Sequence, residues 1–144
     1  MIQFVVYGDA KPAGSKRAFA IRSNGIPTGQ IAVSDANPAS KSWKQEVRQA
    51  AFNACRGRLI DGPLKVVMRF VRVRPKGHYG ANGLSKKGRE SAAPTSKPDV
   101  LKLARGVEDA MTGIVYRDDS QIVDERLVKE WGEPARVEVE ISAA

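Results

Sequence analysis

The chain is short of several things that would each open a class of function. It has one cysteine, Cys55, in 144 residues. No disulfide can form within the chain, and Cys55 reads as a small buried or half-buried side chain near the end of a helix. It has one histidine, His78, an imidazole with no obvious partner in sequence. No apolar run approaches the roughly eighteen residues that a membrane-spanning helix needs. The opening stretch Met1-Ile2-Gln3-Phe4-Val5-Val6-Tyr7 alternates like a strand, without a basic leader or a small-residue cleavage site, so no signal peptide is expected. There is no internal repeat and no low-complexity tail. A reducing cytoplasm fits these absences, and the length predicts a single domain over residues 1–144 with a sizeable core.

Positive charge is present in excess. The net charge is +8 and the pI about 9.9. Between Lys65 and Arg105 stand eleven basic residues and two acidic ones, Glu90 and Asp99, a local net of +9 that leaves −1 for the rest. A clustered excess of this kind is the electrostatic footprint of a polyanion. The plainer reading is a solvated face with a basic loop.

Along the chain, residues 1 to 8 predict a strand. Residues 9 to 38 are rich in Gly, Pro, Ser and Asn and predict a long turn with a hairpin, Phe19 to Arg22 against Gln30 to Val33. Ser40 to Ala54 predicts a helix: Ser40 is a cap candidate, and Trp43, Val47, Ala50, Ala51 and Ala54 recur at helical spacing. Leu64 to Val73 predicts a strand with one apolar face. Residues 75 to 96 predict a basic, mobile loop, in which His78 and Tyr79 read as locally packed residues, the sharper alternative being a phosphate or base contact. Asp99 to Met111 predicts a helix with the stripe Val100, Leu103, Ala104, Val107 and Met111, stopped at Gly113. Strands are expected at Ile114 to Tyr116, Gln121 to Glu130 and Arg136 to Ser142. The fold class is α+β (mixed α/β), one small mixed sheet with two helices packed on it.

Two acidic segments carry the chemistry. Asp99 follows Lys97-Pro98 at a helix entrance, and Asp118-Asp119 lies about twenty residues on. Taken singly, an Asp at a helix start is an ordinary cap and an Asp pair an ordinary turn. Adjacent carboxylates beside a strand nevertheless repel unless a cation or Arg compensates. Carboxylates are hard ligands for Mg²⁺, which takes one or two of them plus substrate phosphate, so the layout suits metal-dependent phosphodiester chemistry. Asp109 lies ten residues past Asp99, roughly 15 Å along a helix. It and Glu108 therefore read as surface charges or ion-pair partners, and the acids expected to meet Asp99 at one cation are Asp118 and Asp119. Arg105 could touch a phosphate from the same helix, with Lys97 and Lys102 flanking.

Gly8, Pro12, Lys16 and Arg17, then Lys97-Pro98-Asp99, Asp109-Ala110-Met111-Thr112-Gly113 and Tyr116-Arg117-Asp118-Asp119-Ser120-Gln121-Ile122-Val123 together resemble the RusA family of Holliday junction resolvases, small endonucleases of bacteria and phages. The resemblance covers most of the chain. It implies a RusA-like homodimer acting in DNA recombination and repair, which resolves four-way DNA junctions by symmetric Mg²⁺-dependent hydrolysis (Mn²⁺ being a substitute), without a nucleotide cofactor or a membrane. Carried over by position, Asp99 and Asp119 match catalytic, metal-holding carboxylates and Arg105 the catalytic basic residue, while Asp118 is expected as a further metal ligand that could substitute for the Asp missing at position 101. DNA contacts are expected from Lys16, Arg17, Arg69, Arg72 and Arg74, and from Lys76, Lys86, Lys87, Arg89, Lys97 and Lys102. The chain departs from the pattern at Leu101, where the family has a second Asp, and at Lys102, where Asn is usual. The alternative is therefore a junction-binding protein of the same fold that cuts weakly or not at all.

Overall fold

A computed structural model describes residues 1–13, 16–35 and 38–144, and of residues 16–21, 31–35 and 38 the backbone alone. Its elements follow in the order β1 (Ile2–Tyr7), β2 (Lys16–Ser23), β3 (Ile26–Asp35), α1 (Pro38–Cys55), β4 (Leu64–Arg72), β5 (Tyr79–Gly80), β6 (Gly83–Leu84), α2 (Lys86–Glu90), α3 (Val100–Met111), β7 (Ile122–Trp131) and β8 (Arg136–Ala143). Short 3₁₀ turns occur at Lys76–His78 and Asp119–Gln121. β1, β8, β4 and β7 form one four-stranded sheet in that order, and β2 with β3 forms a separate hairpin.

β4 lies inside the sheet, antiparallel to β8 and parallel to β7. Its alternate residues Leu64, Val66, Met68 and Phe70 are fully buried, as the period of two requires when one face meets helices. Met68 lies in register with Val139 on one side and Leu127 on the other. The helices supply the second layer. Trp43, Val47 and Ala51 from α1 and Leu103, Val107 and Met111 from α3 join this core. Both expected helices lie on the sheet, and α2 is a third, short one within the segment read from sequence as a loop. None of the helices formed by described residues is long and apolar enough to cross a membrane.

A parallel neighbour demands a crossover. The chain makes it through residues 75–96 and then α3, so α3 runs back along the sheet between the end of β4 and the start of β7. Ala13 N–H donates to Lys102 O at 3.1 Å, and a Cβ on Gly106 would meet Lys11 O at 3.1 Å. Glycine there lets the N-terminal segment cross close to α3.

One expected strand is absent. Ile114 to Tyr116 makes a single bridge, Thr112 with Tyr116, because the chain turns back instead. Gly113 takes φ +81, and the buried Tyr116 hydroxyl donates to Glu108 O at 2.9 Å. Cys55 is buried, as expected, with its thiol 3.4 Å from Ile114 O.

Candidate nucleic-acid interface and carboxylate sites

Asp99 occupies the N-cap position of α3 in extended backbone conformation, yet its side chain makes no capping hydrogen bond. The plain account of an Asp at a helix start therefore fails here. The carboxylate is exposed, and Lys102, one turn on, lies 3.8 Å away. The backbone ahead of it is held by Lys129, whose half-buried ammonium donates to Ser96 O and Pro98 O at 3.0 Å each. Nothing in the sequence marks Lys129 for this task. It became visible only once β7 was known to lie beside α3.

Asp118 and Asp119 divide their tasks. Asp118 caps the 3₁₀ turn: its Oδ1 accepts from Ser120 N–H at 2.9 Å, and Gln121 Oε1 accepts from Asp118 N–H at 3.3 Å. The Ser120 backbone hydrogen bond holds the Asp118 carboxyl below its ordinary pKa. Asp119 is exposed and has no such duty. A hydrogen bond with Asp118, some burial and the charges of Asp118 and Asp109 push its pKa up. A further acidic pair lies nearby. Burial of Glu108, then its hydrogen bond to Glu125 and the charges of Glu125, Asp119 and Asp109, raise its pKa from 4.5 to about 8. Asp109 pairs with Lys44 at 3.5 Å, the ion-pair role expected of it. Sequence periodicity could not reveal the Glu108–Glu125 pair, because Glu125 reaches α3 only when β7 is placed against β4.

The structure thus gathers Asp118, Asp119, Glu108 and Asp109 around the C-terminal end of α3 and leaves Asp99 at its start. α3 has 12 residues, about 18 Å at the helical rise. Among the described residues no group of three or more His, Cys, Asp or Glu is arranged to hold a metal.

Glu108 gives stability a pH dependence of definite sign. Its carboxyl binds a proton more tightly folded than unfolded. That contribution is complete below the unfolded value of about 4.5 and is lost as pH climbs through about 8. Solvent screening of a half-buried group limits the effect to about 1–2 kcal/mol. Glu108→Gln is expected to flatten this loss, measured as urea midpoints across the same range. An identical slope in wild type and variant would show that Glu108 does not carry it.

The basic residues fall into groups. Lys76, Lys86, Lys87 and Lys97 are exposed. Arg74 is committed inside the protein: Nη1 donates to Gly88 O at 2.8 Å and to His78 Nδ1 at 3.2 Å, and its guanidinium lies 5.4 Å from the Trp131 ring centroid. Arg89 donates to Leu84 O at 2.8 Å. Arg69 is half-buried, opposite Glu138 in the β4–β8 register. Arg72 keeps Nη1 buried with no acceptor among the described residues. Arg105 and Lys102 are exposed on α3, and Leu101 beside them is 66% exposed. The side chains of Lys16 and Arg17 lie outside the described residues.

The sequence matches the family described as Endodeoxyribonuclease RusA over residues 9–142. It is also 36% identical over 146 residues to uncharacterized protein YqaN of Bacillus subtilis (strain 168), a similarity covering 97% of this chain and 94% of that protein.

Proposed function

The chain belongs to the endodeoxyribonuclease RusA family, and from that premise we propose that it is a Mg²⁺-dependent endonuclease that cuts four-way DNA junctions symmetrically as a homodimer. The observation that carries this reading is the unequal use of the adjacent acids. Asp118 caps the turn while Asp119 stays exposed and uncapped. An exposed carboxylate pair fits an ion that takes one or two carboxylates and completes its shell from DNA phosphate and water. Asp118, Asp119 and Asp99 are the residues that would hold it. When bound, it supplies a Lewis acid and an activated water.

The remaining work belongs to the chain. Lys76, Lys86, Lys87 and Lys97 neutralise phosphates, so affinity falls steeply with salt. Arg105, exposed on α3, faces negative charge as it builds on phosphorus. Lys129 fixes the turn that presents Asp99. Because α3 separates Asp99 from Asp119 within one copy, the proposed dimer takes them from different copies. This also suits the cutting of two strands by a two-fold assembly.

Leu101 favours a second reading, a junction-binding protein without cutting. Incubating the protein with a synthetic four-way junction, with and without Mg²⁺ or Mn²⁺, separates the two. Paired nicks that need the metal support the nuclease. Tight, salt-sensitive binding with no nick in either metal supports the second reading, and no preference for the junction over linear duplex would defeat both.

A further inference from the structure

We propose that Tyr79 is a stacking platform for an unpaired base at a DNA branch point, carried on a preformed basic wing built from residues 75–96. The proposal rests on the branched-DNA reading above and adds a contact to it.

The wing has a fixed internal structure. The Ser85 backbone N–H donates to His78 O at 2.8 Å and the Ser85 hydroxyl to Gly77 O at 2.9 Å. The hydroxyl also accepts from Gly88 N–H at 3.2 Å, starting α2. Gly88 packs so closely on His78 that a Cβ would lie 2.2 Å from His78 O, so only glycine fits. The wing is fastened to the sheet by Trp131. The indole N–H donates to Ser91 Oγ at 3.2 Å, and His78 meets the ring edge-on at 5.3 Å between centroids. Burial, then the positive charges of Arg74 and Lys87, hold the His78 pKa below the ordinary imidazole value. A guanidinium can only donate, so in the 3.2 Å contact with Arg74 it is Nδ1 that accepts, which the neutral imidazole allows.

His78 ends the 3₁₀ turn and Tyr79 opens β5, and the two side chains differ in burial at that junction. His78 goes inward and is 6% exposed, whereas Tyr79 goes outward and is 47% exposed. His78 has the local packing expected of it, and Tyr79 does not share its burial. Across the two-residue ladder Tyr79 lies opposite Leu84, and Lys76, Lys86 and Lys87 stand exposed on the same wing. An outward aromatic ring on a wing that also carries exposed cations matches single-stranded nucleic acid: cations track the phosphates and the ring takes a base face. A paired, stacked duplex offers no such face. A branch point, where stacking is interrupted, does.

The test compares wild type with Tyr79→Ala, Tyr79→Leu and Tyr79→Phe on a four-way junction carrying 2-aminopurine at the branch point and on a linear duplex of equal length. Tyr79→Ala is expected to weaken junction binding about tenfold and to remove the 2-aminopurine fluorescence change, with a smaller loss on duplex. Tyr79→Leu, which keeps apolar bulk and the fold but lacks a π face, should match the alanine variant, and Tyr79→Phe should restore the wild-type signal. Unchanged affinity and fluorescence in Tyr79→Leu, with the wild type still preferring the junction, would overturn the stacking role alone. A wild type without that preference would overturn the branched-DNA reading and this inference with it.

Discussion

Asp119→Asn is expected to lower Mg²⁺-dependent nicking of a four-way junction by at least about a hundredfold while the junction stays bound. Asparagine keeps the shape of the side chain and removes its charge, so the loss reports the carboxylate itself. Asp118 cannot fully substitute, because its oxygen already accepts from Ser120 N–H. Binding should persist, since the proposed phosphate contacts come from lysines elsewhere and the variant is one charge less negative. Mixing Asp119→Asn with Asp99→Asn protein then tests how the site is assembled. If the two acids come from different copies, a mixed dimer holds one site with both carboxylates, and a single-strand nick should return. Nicking by Asp119→Asn alone at the wild-type rate would remove Asp119 from the site.

Phe70→Ala should be the most damaging change to the fold, costing about 3–5 kcal/mol. Phe70 is fully buried on β4. It lies in register with Val137 on β8 and Lys129 on β7, so strands on both sides keep the hole from closing. A loss of that size is a large share of the roughly 5–15 kcal/mol that holds a typical domain together. The urea midpoint should fall with the slope unchanged. A shift worth less than about 1 kcal/mol would mean that the sheet relaxes around the cavity. The effect would also reach function, because Lys129, beside Phe70 on β7, holds the turn ahead of Asp99.

Local patterns carried much of the architecture. The alternation of Leu64, Val66, Met68 and Phe70 and the helical spacing of Leu103, Val107 and Met111 each reflect burial of one face, and both elements stand where those patterns put them. Turn chemistry was less legible. The strand expected at Ile114 to Tyr116 gave way to a turn because Tyr116 finds its acceptor on α3, a partner no local window contains. The segment 75–96 read as a loop because its order comes from contacts that are distant in sequence, above all Trp131 with Ser91 and His78.

Composition and motif are properties of the linear chain, and they carry the family, the concentration of positive charge between Lys65 and Arg105, and the acids Asp99, Asp118 and Asp119 as the groups of interest. Which of these groups are neighbours depends on how the strands pair. The parallel pairing of β4 and β7 laid α3 beside β7, which brought Glu125 to Glu108 and Lys129 to Pro98 and left Asp99 and Asp119 at opposite ends of one helix. Strand order is fixed by burial summed over the whole sheet, and no single segment of sequence holds that sum.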